Sequence, residues 1–143
     1  MIRLDHQPDG LALASKTIPY NPATCRVISR TTRSGMLLGG VIYDGFNGAS
    51  CRMHVASFHK SWLSRDMLWV CFHYPFVQCN LLKVLAFIPS RNQKVLDFNA
   101  KLGFIQEFRI KDASVGGDLV ITSMRREDCR WLNIKPRTLG SNV

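Results

Sequence analysis

A chain of 143 residues, 46% hydrophobic and 20% charged, holds one ordinary core and is too short for two domains. No run of about 18 or more uncharged apolar residues occurs, which excludes a transmembrane helix and a membrane partner. The start, Met1 to His6, lacks the charged and apolar regions of a signal peptide, so a cytoplasmic protein is expected. The net charge of +9 calls for an anionic partner without naming it.

In chain order, Pro8-Asp9-Gly10 reads as a turn or helix start, followed by a short helical segment over Leu11–Lys16. Pro19 and Pro22 end it. His6 is assigned to a loose start. Cys25–Arg30 and Met36–Tyr43 read as strands, and Asp44-Gly45 and Asn47-Gly48 punctuate a hairpin loop. Cys51–Ser57 forms a third strand, with Cys51, Met53, Val55 and Ser57 on one face and Arg52, His54 and Ala56 on the other.

The period then changes. Ser61 and Ser64 are alternative N-caps for a helix carrying Met67, Leu68, Val70, Cys71, Phe72 and Tyr74 at helical spacing. Pro75 kinks or ends it near Gln78-Cys79-Asn80. Leu81–Ile88 is an apolar run of strand length, as expected of a strand buried on both faces. Pro89-Ser90-Arg91-Asn92 leads into a helix closed by Gly103 as a left-handed cap. Two strands follow, Ile105–Lys111 and Leu119–Met124, joined by a turn from Asp112 to Asp118. Residues 1–132 are expected to form the domain and 133–143 a loose tail. The order (helix, three antiparallel strands, helix, strand, helix, two strands) is that of an α/β domain of the α+β kind, one mixed sheet with helices on its faces.

The five cysteines, Cys25, Cys51, Cys71, Cys79 and Cys129, form no CxxC pair, so no metal site is expected. In apolar runs they act as small hydrophobes of a reducing compartment. The basic residues are scattered rather than interleaved with stacking aromatics, which disfavours a specific nucleic-acid ligand. Trp62, Trp69 and Trp131 read as packing residues. No Gly-x-Ser-x-Gly elbow occurs, and Cys51 and His54 point to opposite faces of their strand.

The segment Lys83-Val-Leu-Ala-Phe-Ile-Pro-Ser-Arg-Asn92, with the helix ending Ala-Lys-Leu102-Gly103-Phe104, resembles the strand-to-helix unit of the GNAT acyl-CoA-dependent N-acyltransferases. Ile105-Gln-Glu-Phe-Arg109 is similar to that family's next strand. Met53-His-Val-Ala56, Tyr74-Pro-Phe76 and the ending Ser123-Met-Arg-Arg-Glu-Asp-Cys-Arg-Trp-Leu132 resemble small GNAT-like proteins of bacteriophages and bacteria. The likeness covers residues 36 to 132 or so.

The resemblance implies a mostly antiparallel sheet with helices on both faces and a splayed parallel strand pair that admits acetyl-CoA or CoA. The pair is Cys51–Ser57 and Leu82–Ile88. It further implies that the backbone of Val55, Ala56 and Ser57 meets the pantetheine arm and that the helix start at Ser61 or Ser64 receives the pyrophosphate. Lys60 and Arg65 add charge there, and Asn92 bonds the cofactor arm. Two positions depart from the family. The glycine-rich phosphate loop is replaced by His59-Lys-Ser-Trp-Leu-Ser-Arg65, and the tyrosine that protonates the leaving thiolate is Asn99, beside Phe98.

Transfer from a CoA thioester to an amine needs a base. His54 is the first candidate and Glu107 the second, each set against a packing or exposed role. His59 and His73 lie near the cofactor helix. A catalytically weak scaffold that modulates a host protein, in the host cytoplasm if phage-encoded, is the alternative function. A basic nucleic-acid-binding protein ranks third, and a homodimer is compatible with either leading reading.

Overall fold

The computed structural model describes residues 1–134 and 136–137. Seven strands form one sheet in the order β1-β2-β3-β4-β5-β7-β6. β1 (Ile2–Leu4), β2 (Arg26–Thr31), β3 (Leu37–Asp44) and β4 (Ser50–Ser57) make an antiparallel meander. Helix α1 (Gln7–Ala14) separates the first two.

β1 was not expected, because three residues carry no readable period. It is held by tertiary contacts instead. Ile2 to Leu4 pair with Arg30 to Ile28, and the amino terminus donates to the Thr31 carbonyl at 2.7 Å. Arg3 clamps buried Asp9 with two bonds, 2.9 and 2.8 Å, and Ser29 Oγ donates to the same carboxylate at 2.6 Å. His6 therefore belongs to no loose start. It lies directly before α1, with Nδ1 3.3 Å from Asp9 Oδ2. Of the two readings of Pro8-Asp9-Gly10, turn or helix start, the second holds, since Pro8 occupies the first turn of α1, where a missing N–H costs nothing.

From β4 the chain crosses to β5 (Lys83–Pro89) through α2 (Arg65–His73) and a π-helical turn, Tyr74–Gln78. Ser64, not Ser61, caps α2, its Oγ accepting from Met67 N at 3.1 Å. Pro75 sits in the π-helical turn, which ends at Gln78 with Cys79 as its cap, in the stretch where the helix is expected to kink or end. Its neighbour Phe76 is fully buried there. Helix α3 (Gln93–Leu102) runs from an Asn92 cap to Gly103 at φ +112°, a left-handed conformation suited to glycine. β6 (Ile105–Ser114) and β7 (Gly117–Arg125) close the sheet as a longer hairpin than expected.

The sheet carries helices on both faces. On one, Leu13 of α1 packs with Val27, Ile42 and Ala56. On the other lies the larger core: Met67, Val70, Cys71 and Phe72 of α2 against Tyr43, Cys51, Met53 and Val84, with Leu96 and Leu102 of α3 alongside. Burying each large side chain here contributes about 1.5–3 kcal/mol. Tyr43 Oη donates to the Cys71 carbonyl at 2.7 Å, satisfying a phenol that burial would otherwise penalise.

β5 is not buried on both faces. Val84, Ala86 and Ile88 enter the larger core while Lys83, Leu85 and Phe87 are half-buried. The reason is that α1 covers β2, β3 and β4 but does not extend over β5. β6 is an edge strand that exposes Ile105, Phe108 and Ile110. After β7, the short turn Arg130–Asn133 caps the end of α3. Trp131 Nε1 donates to the Leu102 carbonyl at 2.8 Å and Arg130 Nη2 to that of Lys101 at 2.6 Å. The expected tail falls partly outside the described residues, at 135 and 138–143.

Candidate functional site

β4 and β5 are parallel neighbours for only three registered pairs, Ser50 with Lys83, Cys51 with Val84 and Arg52 with Leu85. Beyond them the parallel pairing ends, while the outer side of each strand remains paired. β4 follows β3 as far as Ser57 opposite Gly39, and β5 follows β7 as far as Pro89 opposite Leu119. The result is a cleft of about 780 Å³ between two strands that are firmly held on their far edges.

Strand alternation gives the cleft two sides. Toward α2 and α3 it is walled by Met53, Val55, Trp62, Ile88, Asn92 and Phe98. Toward α1 the wall comprises Lys16, Ile18, His54, Phe87 and Leu119. His54 sits where its strand position requires, opposite Ile42 of β3.

The structure adds a partner that sequence reasoning missed. His54 Nε2 lies 2.7 Å from Asp44 Oδ1, with only 11% and 14% of the two side chains exposed. Arg52 Nη2 donates to the other oxygen, Asp44 Oδ2, at 2.8 Å. With the carboxylate as acceptor, Nε2 is the donating ring nitrogen, and Nδ1 is the one that Asp44 does not engage. In sequence Asp44-Gly45 reads as a turn. The signal that would have found the pair is the hairpin register, which sets Asp44 opposite Arg52 and so two residues from His54.

On the other side, Val55 is 41% exposed toward the opening. Ala56 packs its methyl against the α1 core, and the Ser57 carbonyl accepts from Lys16 Nζ at 2.9 Å. The loop to α2 owes its shape to packing rather than glycine. Trp62 is buried over Gly39, where any Cβ would come within 2.8 Å of the indole side chain. Ser61 N donates to His59 Nδ1 at 3.0 Å, and Arg30 bonds the Ser61 carbonyl. Lys60 is exposed on this loop and Arg65 opens the helix.

Asn92 lines the cleft and spends its Oδ1 on Val95 N at 3.4 Å. Asn99 also lines the cleft, but it is buried. Its Nδ2 donates to Thr122 Oγ1 at 2.7 Å, and that hydroxyl donates to the Ala86 carbonyl at 2.9 Å. Its side chain links α3 to β7 and β5.

Glu107 is not brought to the cleft. It stands on β6, its Oε2 accepting from Lys83 Nζ at 2.8 Å. The hydrogen bond from Lys83 holds its carboxyl below the usual range, which weakens it as a base. His73 stacks on Trp69 at 4.0 Å, next to a smaller cavity of about 230 Å³ lined by Arg26 and Gln78 among others. Cys51 is fully buried, and burial pushes its thiol up to about 12, so it is no nucleophile. Among the described residues no group of His, Cys, Asp and Glu converges as a metal site, and no helix is long and apolar enough to cross a membrane.

No family model and no curated protein matches the chain. Solved structures do. Mutant forms of the spermidine/spermine N-acetyltransferase SpeG from Vibrio cholerae superpose with a TM-score of 0.73 at 15% identity, covering 93% of this chain and 97% of theirs. The spermidine N-acetyltransferase of that organism in complex with CoA and spermine gives 0.71 at 13%, covering 93% and 98%. A dodecameric structure of it gives 0.72 at 15%, covering 89% and 94%. The chain has the fold of the GNAT N-acetyltransferases.

Proposed function

We propose that the chain is an N-acyltransferase that binds acetyl-CoA or a related thioester between β4 and β5 and acylates an amine. The observation that carries this reading is the parallel pair that separates after Arg52 and Leu85 into a cleft with His54 in its wall, bonded to Asp44 outside the lining.

The residues present fit the cofactor's arm. The cleft is largely apolar and flanked by the β4 backbone at Val55, Ala56 and Ser57, whose peptide groups are suited to pairing with an amide-bearing chain. For the phosphates the chain offers the α2 N-terminus beside Ser64, Lys60 and Arg65, with Asn92 across the opening. When bound, the thioester would supply an acyl carbon whose bond to sulfur breaks as a bond to nitrogen forms, the sulfur leaving as thiolate and taking its proton from water. Asp44 orients the imidazole and supports its positive charge. His54 Nδ1 takes the proton that the amine loses. Arg52 holds Asp44 in place through its bond to Oδ2.

The test is thermal unfolding with and without CoA, followed by thiol release with a panel of amines. A ligand bound to the native state raises the melting temperature, by an amount that grows with concentration. Reversing the charges of Lys60 and Arg65 together reduces that rise. No shift at about 1 mM CoA, a concentration well above a micromolar Kd, removes the proposal.

A second reading, a CoA-binding scaffold that acts on another protein, draws on one observation: the phenol position is Asn99, and its side chain is committed to Thr122. CoA binding with no thiol release from any amine supports it. Self-association is part of the first reading. The edge strand β6 leaves Ile105 62% and Phe108 64% exposed, and a second copy is the partner proposed for it. Light scattering of Phe108→Ser against the parent protein tests this.

A further inference from the structure

The acceptor's chemistry can be read from the α1 side of the cleft, given the proposed transfer reaction. Ile18, Phe87, Pro89 and Leu119 make that wall apolar, and Lys16 is its cation. Lys16 Nζ is held at the rim, donating to the Ser57 carbonyl at 2.9 Å and lying 4.9 Å from the centroid of the Phe58 ring. One bond to a carbonyl leaves an ammonium with two further donors.

Among the described residues lining the cleft there is no aspartate or glutamate. Asp97, on α3 beside the cleft, accepts from Gln93 Nε2 at 2.8 Å, and three other carboxylates are engaged by basic side chains. Asp44 holds Arg52 and His54, Asp118 holds Arg109 at 2.6 Å, and Glu107 holds Lys83 at 2.8 Å. A polyamine carries several positive charges and needs unpaired carboxylates to replace its water. It would instead meet Lys16 and a chain with a net charge of +9, where like charges repel. An amine with an apolar body finds Phe87 and Leu119, and an anionic group on it finds Lys16.

We infer that the acceptor is an apolar amine carrying an anionic group, of which a hydrophobic amino acid is the simplest member. The inference deepens the proposed acyl transfer and runs against a polyamine acceptor.

The experiment compares L-phenylalanine, L-phenylalaninamide and spermidine as ligands of the CoA-loaded protein by calorimetry, and as acceptors by thiol release. Phenylalanine is expected to bind best, with phenylalaninamide about tenfold weaker for want of the charged bond and spermidine weaker still. Lys16→Gln should bring phenylalanine and phenylalaninamide to near equality while leaving the amide unchanged. Spermidine binding more tightly than phenylalanine overturns the inference, and so does binding of none of the three. Preferential binding of phenylalanine without thiol release upholds the acceptor assignment while removing the transfer reaction. Absence of a CoA-induced rise in melting temperature removes the reaction's premise separately.

Discussion

The two ends of the β4–β5 pair are built from the same two strands and do opposite things. At the closed end Cys51 and Val84 are neighbours in register and both are completely buried, roofed by α2 and the π-helical turn. At the open end Val55 is 41% exposed, and the inner edges of the strands face a cleft instead of each other. Inner pairing is dispensable there because the outer pairing with β3 and β7 continues. The lesson is a division of labour: closed-end residues decide stability, and open-end residues decide ligand binding and chemistry.

The largest expected effect is on chemistry at the open end. His54→Gln keeps a polar group beside Asp44 but removes the base, so kcat should fall about a hundredfold or more. CoA affinity should change by less than about twofold, since a base acts after binding. Asp44→Asn should give a smaller loss of about tenfold, because it weakens orientation and leaves His54 in place. Glu107→Gln should change kcat by less than about twofold for lack of contact with the cleft. Steady-state thiol release measures all three. A larger loss from Glu107→Gln than from His54→Gln would exchange their roles.

Next comes stability at the closed end. Val84→Ala leaves a cavity among Cys51, Phe76 and Met124 and should cost about 2–3 kcal/mol. That lowers the melting temperature by about 2–4 °C per kcal/mol. The rise produced by saturating CoA should persist in this variant. Its loss would show that the two ends are not separable.

The sequence carried the frame of this arrangement better than its details. The alternation over Cys51–Ser57, the apolar run Leu81–Ile88 and the Gly103 cap mark β4, β5 and the end of α3, because each obeys a local rule of period or backbone conformation. β1 was illegible, since its three residues owe their place to pairing with β2 and to the Arg3–Asp9 clamp. Asp44 was also hidden. Its role depends on a hairpin register that brings it beside a residue ten positions on. Glu107 looked eligible by strand position, but its distance from the cleft follows from the sheet order, which sets β7 between β5 and β6.

Asn99 sharpens the comparison because it faces the open end yet is bonded like a core residue. Asn99→Tyr restores a phenol at that position, but it discards the bond to Thr122 and forces a larger side chain into a buried site. A loss of about 1–3 kcal/mol is expected from overpacking, measurable by urea denaturation. Asn99→Ala should cost about 1 kcal/mol, since Thr122 keeps its bond to the Ala86 carbonyl. An unchanged midpoint in both variants would reassign Asn99 wholly to the cleft.

The smallest effect separates two histidines by pH. His73, on the last turn of α2, stacks on Trp69, and burial holds its pKa below the ordinary histidine value. The unfolded chain therefore takes up this proton at a higher pH than the native protein does. Where the unfolded state binds more protons, stability rises with pH. The native state should accordingly lose stability as pH falls through about 6.5, the unperturbed histidine range, with the loss continuing down to the native value. His73→Gln removes that proton and should flatten the dependence of the melting temperature between about pH 5 and 7, with kcat at neutral pH unchanged. His54→Gln should do the reverse, lowering kcat while retaining the His73-linked part of the slope. If His73→Gln leaves the slope as it was, acid sensitivity arises elsewhere, and α2 contributes to the closed end through packing alone.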